Sequence, residues 1–247
     1  MLWQSLLLFL AAFLGGMVVL AIRQPSQATF QRLLVFSGGY LFAITVLHLL
    51  PDLFASHPHA KWVGLYLLVG FFLQLLLELL SKGVEHGHMY DTPPEAHHPL
   101  MPWSLLFSLC VHAFFDGVIL SHPAALPQHD HGPHGLLVGV LLHKIPVAFA
   151  LASVLSKGTP QKSTVIGYLV IFALASPLGL WASHYCSEQH WLSAPSLMAL
   201  LAIVSGSFLH IATTIFFESS PGHHLNTHKF IASLAGASLA VVSELLL

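Results

Sequence analysis

His112 and Asp116 stand four residues apart in the apolar run Leu109-Cys110-Val111-His112-Ala113-Phe114-Phe115-Asp116-Gly117. On a helix that spacing puts both side chains on one face, one turn apart. A neutral imidazole and a carboxylate so placed can chelate one divalent cation. The next apolar run, Leu141-Leu142-His143-Lys144-Ile145-Pro146-Val147, adds a second imidazole and an ammonium. If the two runs are antiparallel neighbours, His112, Asp116 and His143 form a mixed nitrogen and oxygen donor set. Such a set suits Zn²⁺, Fe²⁺, Mn²⁺ or Co²⁺ better than Ca²⁺ or Mg²⁺, which prefer all-oxygen shells. The competing reading is structural: Asp116 pairs with Lys144 and the histidines bond to backbone. Cost favours the ligand reading, because an ionisable side chain at the bilayer centre costs roughly 2.5–3.5 kcal/mol on insertion scales.

Other polar residues lie in apolar runs. His210 is a lone intramembrane histidine, a residue for packing or for an ion pathway. His48 and Asp52 are also four apart, at the end of a run, and either collect cations at a mouth or form a solvated helix end. Glu78 reads as snorkelling toward an interface and Glu244 as solvated near the C-terminus. Pro146 lacks an N–H and frees the carbonyl of Leu142, which at membrane depth is tolerated only inside protein or beside a wet cavity.

The elements that must position these groups are membrane helices. The chain has 247 residues, 55% hydrophobic and only 7% charged, with a mean hydropathy of +0.78. A soluble domain carries about 25% charged residues. Eight continuous apolar runs can be read, at about 3–22, 33–51, 62–81, 103–121, 136–155, 164–183, 195–217 and 229–247, each near the roughly 20 residues a span needs. Continuous runs exclude a β-barrel, whose strands alternate, and little chain is left for a soluble catalytic domain. The last run is the weakest, diluted by Ser233, Ser238, Ser243 and Glu244. The first lacks a basic residue before it, so it reads as a helix and not as a signal peptide. The whole of 1–247 is thus one transmembrane domain. A net charge of −2 gives no reason to expect a nucleic-acid partner.

Lysine and arginine set the orientation. The odd-numbered loops hold Arg23, Arg32, Lys82, Lys157, Lys162 and Lys229, against Lys61 alone in the even ones. The odd loops are expected in the cytoplasm and both termini outside. Ser37-Gly38-Gly39-Tyr40-Leu41 resembles Ser205-Gly206-Ser207-Phe208-Leu209, and Thr45 then matches Thr213. These segments run in opposite directions, as an inverted-topology repeat requires, although small-residue runs also recur by chance.

The chain has 19 histidines. The loop at 83–101, expected in the cytoplasm, carries His86, His88, His97 and His98; the loop after the fourth span carries His122, His129, His131 and His134; the loop after the seventh carries His223, His224 and His228. Flexible clusters of this kind bind transition metals loosely, and none has the spacing of a closed zinc site. Cys110 and Cys186 fit neither a disulfide framework nor a CxxC site.

The chain resembles the ZIP (Zrt/Irt-like) divalent metal transporters over nearly its whole length. The motifs that carry the resemblance are His112-Ala113-Phe114-Phe115-Asp116-Gly117 and His143-Lys144-Ile145-Pro146, supported by Ser37-Gly38-Gly39 through His48-Leu49-Leu50-Pro51-Asp52 and by Ala175-Ser176-Pro177-Leu178-Gly179. The resemblance implies an all-α fold of eight transmembrane helices arranged three plus two plus three, the outer triplets related by inversion. It implies uptake of zinc, or of related ions such as Cd²⁺, toward the cytoplasm, and often a homodimer. It departs from the family's two-metal pattern at Ala113, Lys144 and Val147, and Ser176 stands where two-metal members can carry an acid. The lysine-bearing branch is the better match, with one metal site and Lys144 replacing the second.

These expectations describe a transporter in a plasma or inner membrane, with the ion as cargo rather than cofactor, and no enzyme. An alternative is an intramembrane zinc-dependent hydrolase acting on lipids, which would want a third histidine on the metal, such as His210, and a spare carboxylate as general base. Another is a metal sensor whose histidine loops carry the function.

Overall fold

The computed structural model describes residues 1–21, 27–56, 60–81, 83, 101–121, 134–158, 161–218 and 227–246. Among the described residues the fold is all-helical. The eight long helices are α1 (Leu2–Ala21), α2 (Gln27–Ser56), α3 (Ala60–Ser81), α4 (Met101–Leu120), α5 (His134–Gly158), α6 (Lys162–Glu188), α7 (Ala194–Glu218) and α8 (Thr227–Leu246). Among the described residues, seven of them are long and apolar enough to cross a membrane, α8 not being one of the seven. The eight-span expectation is met in helix number, with seven candidate spans.

The helix ends correct the sequence reading most at α2. Its apolar run reads from about residue 33, yet the helix starts at Gln27 and continues to Ser56. Hydropathy marks where a span is apolar, not where its backbone starts to coil, and Gln27, Gln31 and Arg32 suit a helix end outside the apolar zone. Within α2 the turn Thr45–Leu49 widens to a π-helix, with the Leu50 N–H bonded to the Thr45 carbonyl. Pro51 explains the position. It has no N–H for the carbonyl four residues back, and the wider turn accommodates its ring. Pro146 and Pro177 lie inside α5 and α6, which run on through them.

The helices pair across long sequence distances. Helix α2 packs along α8, α3 along α7, α4 along α6 and α1 along α5, with further contact between α1 and α6 and between α2 and α7. Glycines make these approaches close. Gly39 and Gly236 lie against the Ser233 and Phe36 backbones at the α2–α8 crossing; Gly70 and Gly206 lie against Ile203 and Leu67 between α3 and α7; Gly117 and Gly179 lie against Ser176 and Phe114 between α4 and α6. At each of these six a Cβ would strike a facing carbonyl, so small residues set the interhelical distance.

The result is two groups of four helices, one of α1, α4, α5 and α6, the other of α2, α3, α7 and α8. The seam runs mainly where α2 meets α5 and α3 meets α4. It is tied by Tyr40 Oη donating to the Gly135 carbonyl at 3.0 Å, by Ser108 Oγ donating to the Leu77 carbonyl at 2.6 Å, and by the Phe30–Phe149 ring contact. The outer faces are apolar: Trp62, Leu65, Leu68, Phe72, Leu76 and Leu79 on α3 are all exposed.

Candidate metal centre

Helix α4 presents His112 and Asp116 on one face, as their spacing requires, and α5 brings His143 and Lys144 opposite. All four side chains are buried. The His112 Nε2 lies 3.6 Å from Asp116 Oδ1, and Lys144 Nζ lies 2.8 Å from Asp116 Oδ2. The His112 and His143 rings meet edge to face with centroids 5.8 Å apart. Lys144 also stands 5.4 Å from the centre of the Phe172 ring on α6, a cation–π contact that orients its ammonium. The Ser176 hydroxyl donates to the Ala113 carbonyl, tying α6 to α4 beside His112.

The structural alternative raised by the sequence is half realised. Asp116 does pair with Lys144. The histidines do not bond to backbone: both ring nitrogens of His112 and both of His143 are buried with no hydrogen-bond partner among the described residues. A buried polar atom left unsatisfied costs about 1–3 kcal/mol. Each neutral ring can offer one of its two nitrogens, so the two facing rings and the nearby carboxylate oxygen make a donor set whose chemistry fits a cation. The ring separation keeps the set open, and among the described residues no three His, Cys, Asp or Glu side chains are close enough to hold an ion as they stand.

The remaining polar residues lie in the other helix group. His210 on α7 is not alone. Its Nε2 lies 2.9 Å from Glu78 Oε2 on α3, its Nδ1 lies 3.2 Å from Thr214 Oγ1, and its ring packs on Phe71. The snorkelling expectation for Glu78 fails for the same reason: α3 turns that face toward α7, where His210 supplies a better partner than an interface. His210 is thus engaged away from His112 and His143 and does not act as the third histidine that the hydrolase alternative wants.

His48, on the π-helical turn of α2, lies 2.8 Å through Nδ1 from Glu244 Oε1 and 3.9 Å through Nε2 from Asp52 Oδ2. Glu244 is therefore a partner of His48 and not simply a solvated terminal residue, because the α2–α8 packing carries it inward. Sequence reasoning missed both glutamates. A signal was there, since Glu78 follows Gly70 by eight residues and Glu244 follows Gly236 by eight. Each glycine makes the close crossing, and each glutamate lies about two turns further along the same helix.

The histidine loops lie mostly outside the described residues, including His86, His88, His97, His98, His122, His129, His131, His223 and His224, as do Arg23 and Lys82 of the orientation argument. His228 is described and exposed at the start of α8. Cys110 and Cys186 are both free.

A family model described as ZIP zinc transporter matches residues 79–244. Zinc transporter ZIP9-B of Xenopus laevis is 29% identical over 199 residues, which cover 78% of this chain and 65% of that protein. Zinc transporter ZIP1 of Takifugu rubripes is 29% identical over 142 residues, 57% of this chain and 44% of its own length. Zinc transporter ZIP1 of Homo sapiens is 26% identical over 251 residues, 83% of this chain and 74% of its own. The chain thus spans just under two thirds of the ZIP9-B length. These relatives are named as transporters, not as enzymes.

Proposed function

Because the chain belongs to the ZIP zinc transporter family, a family of multi-pass membrane proteins, we propose that it carries divalent transition-metal ions, zinc foremost, across the membrane. The observation that carries the reading is the pair of buried imidazoles, His112 and His143, whose ring nitrogens have no hydrogen-bond partner among the described residues, with His112 Nε2 3.6 Å from the Asp116 carboxylate. Zinc binds imidazole nitrogen at about 2.0–2.1 Å and carboxylate oxygen at about 2.0–2.2 Å. A modest turn of the two rings toward Asp116 Oδ1 would close a three-donor shell. Lys144 occupies Oδ2, so the shell takes one ion and no second. The same donors accept Fe²⁺, Mn²⁺, Co²⁺ or Cd²⁺.

Alternating exposure of this site fits the two helix groups. Every site residue belongs to α4, α5 or α6, in the group with α1, while α2, α3, α7 and α8 pack on one another. Motion of one group against the other along the seam would carry the ion past the barrier. The neighbour pattern also supports a three-plus-two-plus-three inverted repeat. Exchanging α1 with α6, α2 with α7, α3 with α8 and α4 with α5 turns the α2–α8 pairing into α7–α3 and the α1–α5 pairing into α6–α4. The excess of lysine and arginine in odd loops supports cytoplasmic loops there and both termini outside. Delivery toward the cytoplasm is the direction we assign. Ser176 acts by positioning α4, and His48 with Asp52 lines the ion's approach.

The test is uptake of radioactive zinc by proteoliposomes. Wild-type protein should give saturable uptake. His112→Ala should lower it at least about 100-fold while purifying normally, since the remaining imidazole and carboxylate form too weak a shell. Wild-type rates in His112→Ala would remove His112 from the site, and no uptake by well-folded wild-type protein would remove the transport reading.

A further inference from the structure

Asp116 is shared between two unlike neighbours. Its Oδ2 faces the Lys144 ammonium at 2.8 Å and its Oδ1 faces His112 Nε2 at 3.6 Å. Lys144 is 1% exposed and packed against Phe172, so its charge neither reaches water nor swings clear of the site. Two imidazoles and a free carboxylate would be a strong zinc shell. A strong shell suits storage, but a carrier must also let go. Here an arriving ion meets a carboxylate already half engaged, with a fixed positive charge one carboxylate width away. In a buried site that repulsion is poorly screened by salt.

We propose that Lys144 is a tethered cation that competes with the transported ion for Asp116 and so sets how fast the ion leaves. The inference rests on the transport site assigned above. It makes Lys144 a positioning residue for the carboxylate and a determinant of turnover, not a ligand. A merely structural lysine, present to neutralise a buried aspartate, gives the opposite forecast. Its removal would loosen the site and weaken binding, whereas removal of a competitor tightens binding.

The experiment compares the full chain with Lys144→Met and Lys144→Gln, both neutral, and with Lys144→Arg, which keeps the charge. Zinc affinity is read in detergent by competition with a chelating dye, and KM and maximal rate by zinc uptake into proteoliposomes. Each neutral variant is expected to bind core zinc at least about tenfold more tightly, with KM falling and the maximal rate falling about tenfold as release becomes limiting. Lys144→Arg should stay close to wild type in affinity. Either neutral variant suffices if the other does not yield a single gel-filtration peak. Zinc affinity equal to or weaker than wild type in a well-folded neutral variant would overturn the proposal, as would tighter binding with an undiminished rate. His112→Ala, made in the wild-type and the Lys144→Met backgrounds, separates the two layers. If it leaves zinc binding unchanged in both, the core site is misplaced and the lysine role falls with it. If it abolishes binding while the neutral variants fail to tighten it, only the lysine role fails.

Discussion

In the group of α1, α4, α5 and α6 two buried histidines face each other with no hydrogen-bond partner for any ring nitrogen among the described residues, His112 standing 3.6 Å from Asp116, whereas in the group of α2, α3, α7 and α8 His48 and His210 each lie within 3 Å of a glutamate. Both groups bury imidazole among apolar helices and both rely on small residues for close crossings. The difference lies in what the carboxylate does. Glu78 and Glu244 are given to histidine, and each pair joins two helices of one group. Asp116 is given to a lysine, which leaves the histidines beside it free to take something else. A histidine held within 3 Å of a glutamate is part of the scaffold; one without a hydrogen-bond partner is, on our proposal, open to a ligand.

The sharpest test of that contrast is Asp116→Ala. It removes a donor from the ion and also strands the buried Lys144 ammonium. Breaking a buried pair by removing one partner costs about 3–5 kcal/mol. We expect both zinc uptake and thermal stability to collapse, the second read by the unfolding midpoint of the purified protein. Asp116→Asn should recover part of the stability, because its amide oxygen still accepts from Lys144, but little of the uptake. If Asp116→Ala unfolds at the wild-type temperature, the lysine has found another partner and the site is built differently.

A smaller effect should follow in the scaffold. Glu78→Gln takes the charge from His210 and leaves the site group untouched. Hydrogen bonds between membrane helices are worth about 0.6 kcal/mol on average and about 1.7 kcal/mol at most, so the loss should be of that size. Core zinc binding should stay at one ion per chain, counted by elemental analysis after the loop-bound ions are stripped. Loss of that ion in Glu78→Gln would join the two groups into one functional unit and end the contrast.

The meeting of His112, Asp116, His143 and Lys144 was legible because it depends on local geometry. His112 and Asp116 share a face by spacing alone, α5 follows α4 after one short loop, and the fixed charge of Lys144 had to find Asp116 or pay for burial. The four-and-four grouping was not legible. It rests on glycines such as Gly70 and Gly206 meeting carbonyls of distant helices, and a glycine in an apolar run carries no mark of what it will face. The two glutamates were misread for the same reason. Hydropathy places them near helix ends, where solvent is the default partner, and only the crossings of α3 with α7 and α2 with α8 bring histidines to them. The start of α2 was misread because helical backbone extends past the apolar zone.

His48→Gln is expected to be the mildest change, and it limits the contrast from the other side. His48 and Glu244 form a pair, but at 15% and 22% side-chain exposure they are less enclosed than His210 and Glu78 at 5% and 12%. A partly solvated ion pair contributes about 0–1 kcal/mol. The unfolding midpoint should therefore barely move, and the maximal uptake rate should hold. If His48 and Asp52 guide the ion's approach, uptake at zinc concentrations well below KM should fall about two- to threefold, because the loss touches encounter and not the bound state. A larger loss of maximal rate would mean that the His48–Glu244 pair takes part in the motion between states. The scaffold's histidines would then divide into one that only holds helices together and one that also moves with them.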